Sequence, residues 1–294
     1  MVRKALLVGI NDYAPIGAGG PDLNGCVNDV RDMATTLRDL GIVPAVPASM
    51  HIVTDGRATR AAILNELGWL VDGAKRGDVL VFYYSGHGSQ MPDMTGEETD
   101  KRDETICPHD FATAGMIKDD DLRAIFSGIG TGVNLEVILD SCHSGTGTRE
   151  LALLSNENIP EENAIAIRYV EPPIDFGFFL EDPSLPTRRL LKSSPELMQI
   201  QTDVKAKATV VVPTLNHVLW SGCKDNQTSG EGSIGGVVRG FFTYCFCKSL
   251  RARNGDVRRR DLDRMVSTSL RGIGAGQTPQ LEGTRATMTE KVFT

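Results

Sequence analysis

Asp78-Val79-Leu80-Val81-Phe82 runs into Tyr83-Tyr84-Ser85-Gly86-His87-Gly88, and Leu135-Glu136-Val137-Ile138-Leu139 runs into Asp140-Ser141-Cys142-His143-Ser144-Gly145. Both are short apolar runs that stop at small residues, the pattern of a buried strand in an α/β sheet. Reacting groups gather beyond the carboxyl ends of such strands, so a histidine and a cysteine are predicted at one sheet edge. A thiol beside an imidazole is the minimum equipment for nucleophilic acyl transfer, because the imidazolium favours the attacking thiolate. His87 precedes Cys142 by 55 residues, so only the fold can join them. Ser85, Gly86, Gly88, Ser144 and Gly145 leave room for a substrate backbone to come close. The backbone N–H groups of Gly88 and Cys142 are the expected oxyanion donors. His143 is a poor base for Cys142, since adjacent side chains of an extended chain point opposite ways.

Outward from these two runs, strands and helices alternate. Lys4 to Gly9 and His51 to Thr54 read as strands, and Asn24 to Leu40 as a helix with Val27, Val30, Met33, Ala34 and Leu37 on one face. Thr59 is placed to cap a helix reaching about Ala74. Gly88 to Gly115 is polar and rich in Gly and Asp, a long loop or hairpin excursion. Asp119-Asp120-Asp121 then opens a short helix, where acidic residues suit the positive end of the helix dipole. Regular pattern returns at Thr209 to Val212 and at His217 to Gly222, followed by helices over Gly240 to Arg253 and around Asp261 to Leu270. This alternation predicts an α/β sandwich, a mixed, mostly parallel sheet of about six strands flanked by helices. The expected organisation is one domain: a larger part over 1–148, an irregular linker or insertion over 149–207, and a smaller part over 208–294 that completes the sheet.

Length and composition bound the remaining options. The 294 residues are 40% apolar and 23% charged, ordinary for a soluble globular chain. A net charge of −7 and the absence of a basic stripe argue against nucleic acid as a partner. The apolar stretch Ala5 to Ile10 is too short for a signal peptide and is interrupted by Asn11-Asp12, and no run is long enough to span a bilayer. A cytoplasmic chain with no membrane partner is expected. Six cysteines without framework spacing read as reduced thiols. Cys245 and Cys247 lie in an amphipathic helical pattern with no companion cluster, which favours core packing over zinc. Gly17-Ala18-Gly19-Gly20 lacks the spacing of a dinucleotide fingerprint, so no organic cofactor is expected.

Tyr84-Ser85-Gly86-His87-Gly88 with Asp140-Ser141-Cys142-His143-Ser144-Gly145 closely resembles the metacaspase branch of the caspase-like peptidases. Further motifs extend the likeness over nearly the whole chain. They are Ala5 to Tyr13, Leu23 to Val30, Asp103 to Asp110, Ile117 to Leu122, Ser221 to Ser229 and Gln277 to Leu281; the likeness fades only in the irregular middle. The resemblance implies a caspase-like sandwich, a Cys142–His87 dyad, and cleavage of peptides or proteins after Arg or Lys. It also implies a monomer. Cys26, Asp29, Ser85 and Asp140 match the family's substrate pocket, and two carboxylates in a small pocket would favour a cationic side chain. On spacing alone, Asp29 reads equally as a solvated helix residue, and Asp140 as a partner of its own loop backbone.

Many metacaspases use calcium, on carboxylates matching Asp103, Asp119 and Asp120. Calcium takes about six to eight oxygens, which suits an acidic cluster. This chain departs from that pattern after the nucleophile, where Thr146-Gly147-Thr148-Arg149-Glu150 stands in place of a further aspartate. Arg149, Arg168, Arg188, Arg189 and Lys192 make the middle region a candidate for self-cleavage, and the sequence does not rank them. Two rival readings are a catalytically silent binding or scaffold protein and a flavodoxin-like phosphoryl acceptor. Retention of His87, Cys142 and the acidic set weighs against the first. The second leaves both small-residue-rich loops unexplained.

Overall fold

The two apolar runs form the middle of one six-stranded sheet. The computed structural model describes residues 1–14, 22–92, 102–142, 165–170, 217–224 and 227–294, without the side chains of residues 91, 92, 102 and 103. The sheet is built from β1 (Arg3–Gly9), β2 (Met50–Thr54), β3 (Val79–Ser85), β7 (Asn134–Asp140), β9 (His217–Ser221) and β12 (Gln280–Glu282). Its order is β12-β9-β7-β3-β1-β2. Every pairing is parallel except that of β12 with β9. The predicted mixed, mostly parallel α/β sheet is thus the one observed.

Side chains alternate across the pleat, so each strand feeds two cores. Ala5, Leu7, Val81, Tyr83, Ile138 and Trp220 pack with helices α1 (Cys26–Asp39), α5 (Phe241–Arg251) and α6 (Arg259–Gly272). Leu6, Val8, Leu80, Phe82, Val137 and Leu139 pack on the other face with α2 (Arg60–Val71) and α4 (Asp119–Phe126). Thr59 caps α2 by accepting the Ala62 N–H at 3.2 Å. A one-turn helix, α3 (Phe111–Ala114), precedes β6 (Ile117–Lys118). Cys245 and Cys247 are buried, free thiols, as core packing predicts.

Two features differ from or extend the sequence reading. The excursion after His87 is an antiparallel hairpin, β4 (Gly88–Pro92) with β5 (Arg102–Ile106), continued by β6. A second hairpin, β10 (Gly230–Ile234) with β11 (Val237–Gly240), lies where no strand was predicted. Its strands are Gly- and Ser-rich, so the apolar signal is weak. The turn is made by Gly235 and Gly236, both at positive φ (63° and 81°), the conformation a two-residue hairpin turn requires. The run Thr209 to Val212 lies outside the described residues.

One polar group stands in the middle of the sheet. Glu136 on β7 is fully buried, accepting Trp220 Nε1–H at 2.8 Å, Arg259 Nη2 at 2.7 Å and the Phe293 N–H at 3.3 Å. A buried carboxylate is tolerable only while its partners remain. Arg259→Ala is therefore expected to lower the unfolding free energy by about 3–5 kcal/mol in urea denaturation. Joint replacement by Glu136→Leu and Arg259→Met is expected to recover much of that loss.

Candidate active site

The site lies where β1, β3 and β7 end together. The parallel register aligns Gly9 with Ser85 and Ser85 with Asp140, so the three strand ends are level. Gly9 lets α1 lie directly on the sheet: a Cβ there would overlap the Val30 side chain and the Cys26 carbonyl. That close approach carries Cys26 and Asp29 to the same edge. All four pocket candidates, Cys26, Asp29, Ser85 and Asp140, are buried there together.

They converge on one side chain, Arg168, which is fully buried. Its Nη2 lies 2.6 Å from Asp29 Oδ2 and 3.0 Å from Glu231 Oε2, and its Nη1 lies 3.0 Å from Asp140 Oδ2. Nη1 also donates to Ser85 Oγ at 2.9 Å. Each carboxylate is fixed by further donors. Asp29 accepts Ser85 Oγ–H at 3.0 Å and the Gly240 N–H at 2.9 Å. Asp140 accepts Ser229 Oγ–H at 2.7 Å and Thr243 Oγ1–H at 2.6 Å. Glu231 accepts the N–H groups of Asn24 and Gly25 at 2.7 and 3.1 Å, and the Cys26 thiol stands 3.8 Å away. Gly240 closes the wall, since a Cβ there would collide with both the Asp140 carboxylate and the Arg168 guanidinium.

Cys142 and His87 lie just beyond the ends of β7 and β3 at this edge. Cys142 is fully buried; its Sγ accepts the Ser229 N–H at 2.6 Å and donates to the Ser229 carbonyl at 3.0 Å. The backbone of His87 is clamped, its N–H donating to the Tyr13 hydroxyl at 2.7 Å and its carbonyl accepting Tyr84 O–H at 2.7 Å. The Tyr13 ring lies 4.9 Å, centroid to centroid, from the imidazole. Gly88 abuts Cys142, and a Cβ at Gly88 would overlap the Cys142 carbonyl oxygen. The N–H groups of Gly88 and Cys142 point at a single oxygen, the Arg168 carbonyl, at 3.0 and 3.2 Å. A thiol, the histidine-bearing loop, two convergent N–H donors and an acidic cluster therefore share one sheet edge.

A family model described as the metacaspase, peptidase C14 domain matches residues 3–149. A Metacaspase-1 of Ajellomyces capsulatus is 35% identical over 264 residues, which span 85% of this chain and 71% of that relative. The chain belongs to the metacaspases. It is accordingly a cysteine-type peptidase. Metacaspase-1A of Aspergillus oryzae is 34% identical over 265 residues, 85% of this chain but 60% of its own length. A crystal structure of a Geobacter sulfurreducens protein shares the fold, with a TM-score of 0.66 at 26% identity, covering 100% of this chain and 99% of that one.

Sequence reasoning on this metacaspase missed Glu231, the third carboxylate of the pocket. The available signal was an acid bracketed by glycines in Gly230-Glu231-Gly232, a place where an exposed strand would not need such small neighbours. It also missed Ser229, whose backbone holds the Cys142 sulfur. Of the calcium candidates, Asp119 and Asp120 open α4 and pair with Arg123 at 3.3 and 3.1 Å. The Asp103 side chain and Arg149-Glu150 lie outside the described residues, as does His143. Among the described residues no three His, Cys, Asp or Glu side chains are grouped to hold a metal ion. Asp119 and Asp120 together offer fewer than calcium's about six to eight oxygens, and with the Asp103 side chain outside the described residues no chemical step is routed through the ion.

Burial sets the electrostatics of the pocket. It pushes the Asp29 carboxyl up to about 6, even though the Arg168 guanidinium pulls the other way and the Asp140 charge adds to the rise. Carboxyl-carbon NMR is expected to show a titration with a midpoint near 6 that is lost in Asp29→Asn.

Proposed function

We propose that this metacaspase is an endopeptidase cutting after arginine, and less readily after lysine, through a Cys142–His87 dyad, and that it also processes itself in the middle region. The observation that carries the reading is the guanidinium buried among Asp29, Asp140 and Glu231, on a residue whose carbonyl accepts the Cys142 N–H. Three carboxylates favour a cation and repel an aspartate. They also favour arginine over lysine, because the planar fork donates to two acids and Ser85 at once, whereas an ammonium is a point charge.

In this mechanism Cys142 thiolate attacks the carbonyl carbon that follows the docked basic side chain. The Gly88 and Cys142 N–H groups take the charge that develops on the carbonyl oxygen, each donor contributing about 3 kcal/mol. His87 gives a proton to the departing amine and then draws one from the water that hydrolyses the thioester. No organic cofactor is needed for these steps.

The scaffold alternative is separated from this reading by one assay with fluorogenic peptides carrying Arg, Lys or Asp before the reporter. Turnover is expected for Arg, slower turnover for Lys and none for Asp, all lost in Cys142→Ala and His87→Ala. Asp29→Ala is expected to lower kcat/KM for Arg peptides on the order of 10²–10³-fold with the fold intact, since one partner of a buried charge pair is gone. Undiminished Arg cleavage by that variant would sink the specificity argument. Because protonated Asp29 no longer attracts a guanidinium, and burial raises its carboxyl above the usual range, KM for Arg peptides is expected to rise as pH falls. Gly240→Ala, which narrows the pocket without removing charge, is expected to abolish Arg cleavage while circular dichroism stays unchanged.

A further inference from the structure

Cys142 has a second sulfur beside it. Strand β9 runs parallel to β7 with Ser221 opposite Leu139, and the Gly222 N–H donates to the Leu139 carbonyl at 2.8 Å, so the ladder continues past the strand ends. Two residues further along each chain, Cys223 is level with Ser141, next to Cys142. Its Sγ lies 3.7 Å from the Ser141 carbonyl oxygen and 3.3 Å from that of Gln227. The Cys223 and Cys142 thiols are hydrogen-bonded to each other, and both are free and buried. Ser229 also holds the Cys142 sulfur, through its N–H and carbonyl. That carbonyl is shared with the N–H of Arg168, the residue after β8 (Ala166–Ile167). Neighbouring strands lie about 4.8 Å apart, and an offset of one residue keeps such a pair within the about 4.4–6.8 Å between Cα atoms that a disulfide spans.

A thiol that only fills space needs no second sulfur at its side. Cys245 and Cys247 sit among the core side chains around α5, and Cys26 stands 3.8 Å from a Glu231 oxygen. The two sulfurs at the sheet edge also differ in chemistry. Its bond to Cys142, and then burial, hold the Cys223 thiol well above the usual thiol range, so it keeps its proton and is a poor nucleophile toward oxidants. Oxidation therefore starts at Cys142, the attacking thiolate of the mechanism above, and Cys223 meets the product with its proton still in place.

We propose that Cys142 and Cys223 are a redox pair that hydrogen peroxide closes into a disulfide, which switches the thiol off and spares it from irreversible oxidation. The loss of turnover that follows rests on the peptidase reading above; the bond itself does not. In the first step the Cys142 thiolate attacks one peroxide oxygen, the O–O bond breaks, hydroxide leaves and the sulfur becomes a sulfenic acid. In the second the Cys223 sulfur attacks the sulfenic sulfur, the S–O bond breaks, and the hydroxyl departs as water with the Cys223 proton. Two thiols have then given up two electrons, and the peroxide has become two waters once the hydroxide takes up the proton of Cys142. A dithiol reverses the change by thiol–disulfide exchange. Without Cys223 the sulfenic acid runs on to sulfinic acid, which a dithiol does not reduce.

The test treats the reduced full chain with hydrogen peroxide, blocks remaining thiols with a maleimide, and maps the cysteines by mass spectrometry beside an Arg-peptide turnover assay. Wild type is expected to yield one cross-linked peptide joining Cys142 to Cys223, to lose turnover, and to regain it with dithiothreitol. Cys223→Ser is expected to form no cross-link, to gain two oxygens at Cys142, and to stay inactive after dithiothreitol. Cys142→Ala is expected to leave Cys223 reduced. Should Cys223→Ser fail to fold, the wild-type map decides alone. A wild type whose Cys142 stays free, becomes sulfinic acid or joins any other cysteine overturns the proposal, and so does recovery of Cys223→Ser equal to that of wild type. A chain that forms the cross-link but turns over no Arg peptide even when reduced overturns the peptidase reading and leaves the redox pair standing.

Discussion

The in-register parallel pairing of β3 with β7 is the constraint on which the rest depends. Because Val79 lies opposite Asn134 and the ladder runs without a bulge to Ser85 opposite Asp140, the two loops that follow are level. A slip of one residue would turn Tyr83 and Ile138 from one core to the other and would part Gly88 from Cys142. Both cores hold that register, since each strand is buried on both faces. The position of the thiol relative to the imidazole loop is thus a by-product of hydrophobic packing, with no local interaction needed to set it.

The pocket is a different kind of arrangement. Here the fold places three carboxylates out of water, which is costly, and offsets the cost with backbone donors from Asn24, Gly25, Gly240 and Thr243 and with one guanidinium. These donors come from the residues just before α1, from β11 and from α5, so the charges are fixed before any ligand arrives.

How much of this could be read in advance follows from range. The strands and helices that bury apolar runs were legible, as was the Thr59 cap, because pattern or motif carries them locally. The β10–β11 hairpin was not, since Gly232, Ser233 and Gly235 dilute the apolar alternation that marks a strand. Glu231 escaped for the same reason. Glu136 sat unnoticed inside an apolar run, its partner Arg259 lying far along the chain. Arg168 has no distinguishing neighbours in sequence; what singles it out is contact with Gly88, Cys142 and Ser229, which only the folded chain creates.

The placement of β9 carries a further consequence. It pairs with β7 on one side and β12 on the other, while α5 and α6 pack beneath the same sheet as α1. The C-terminal portion is therefore interleaved with the N-terminal one and does not sit beside it as a detachable lobe. Breaking the backbone anywhere between β7 and β9 leaves every one of these pairings intact. A nicked molecule would migrate as a single particle in gel filtration and fall into two pieces only in denaturant, so that native size is blind to whether the chain is continuous.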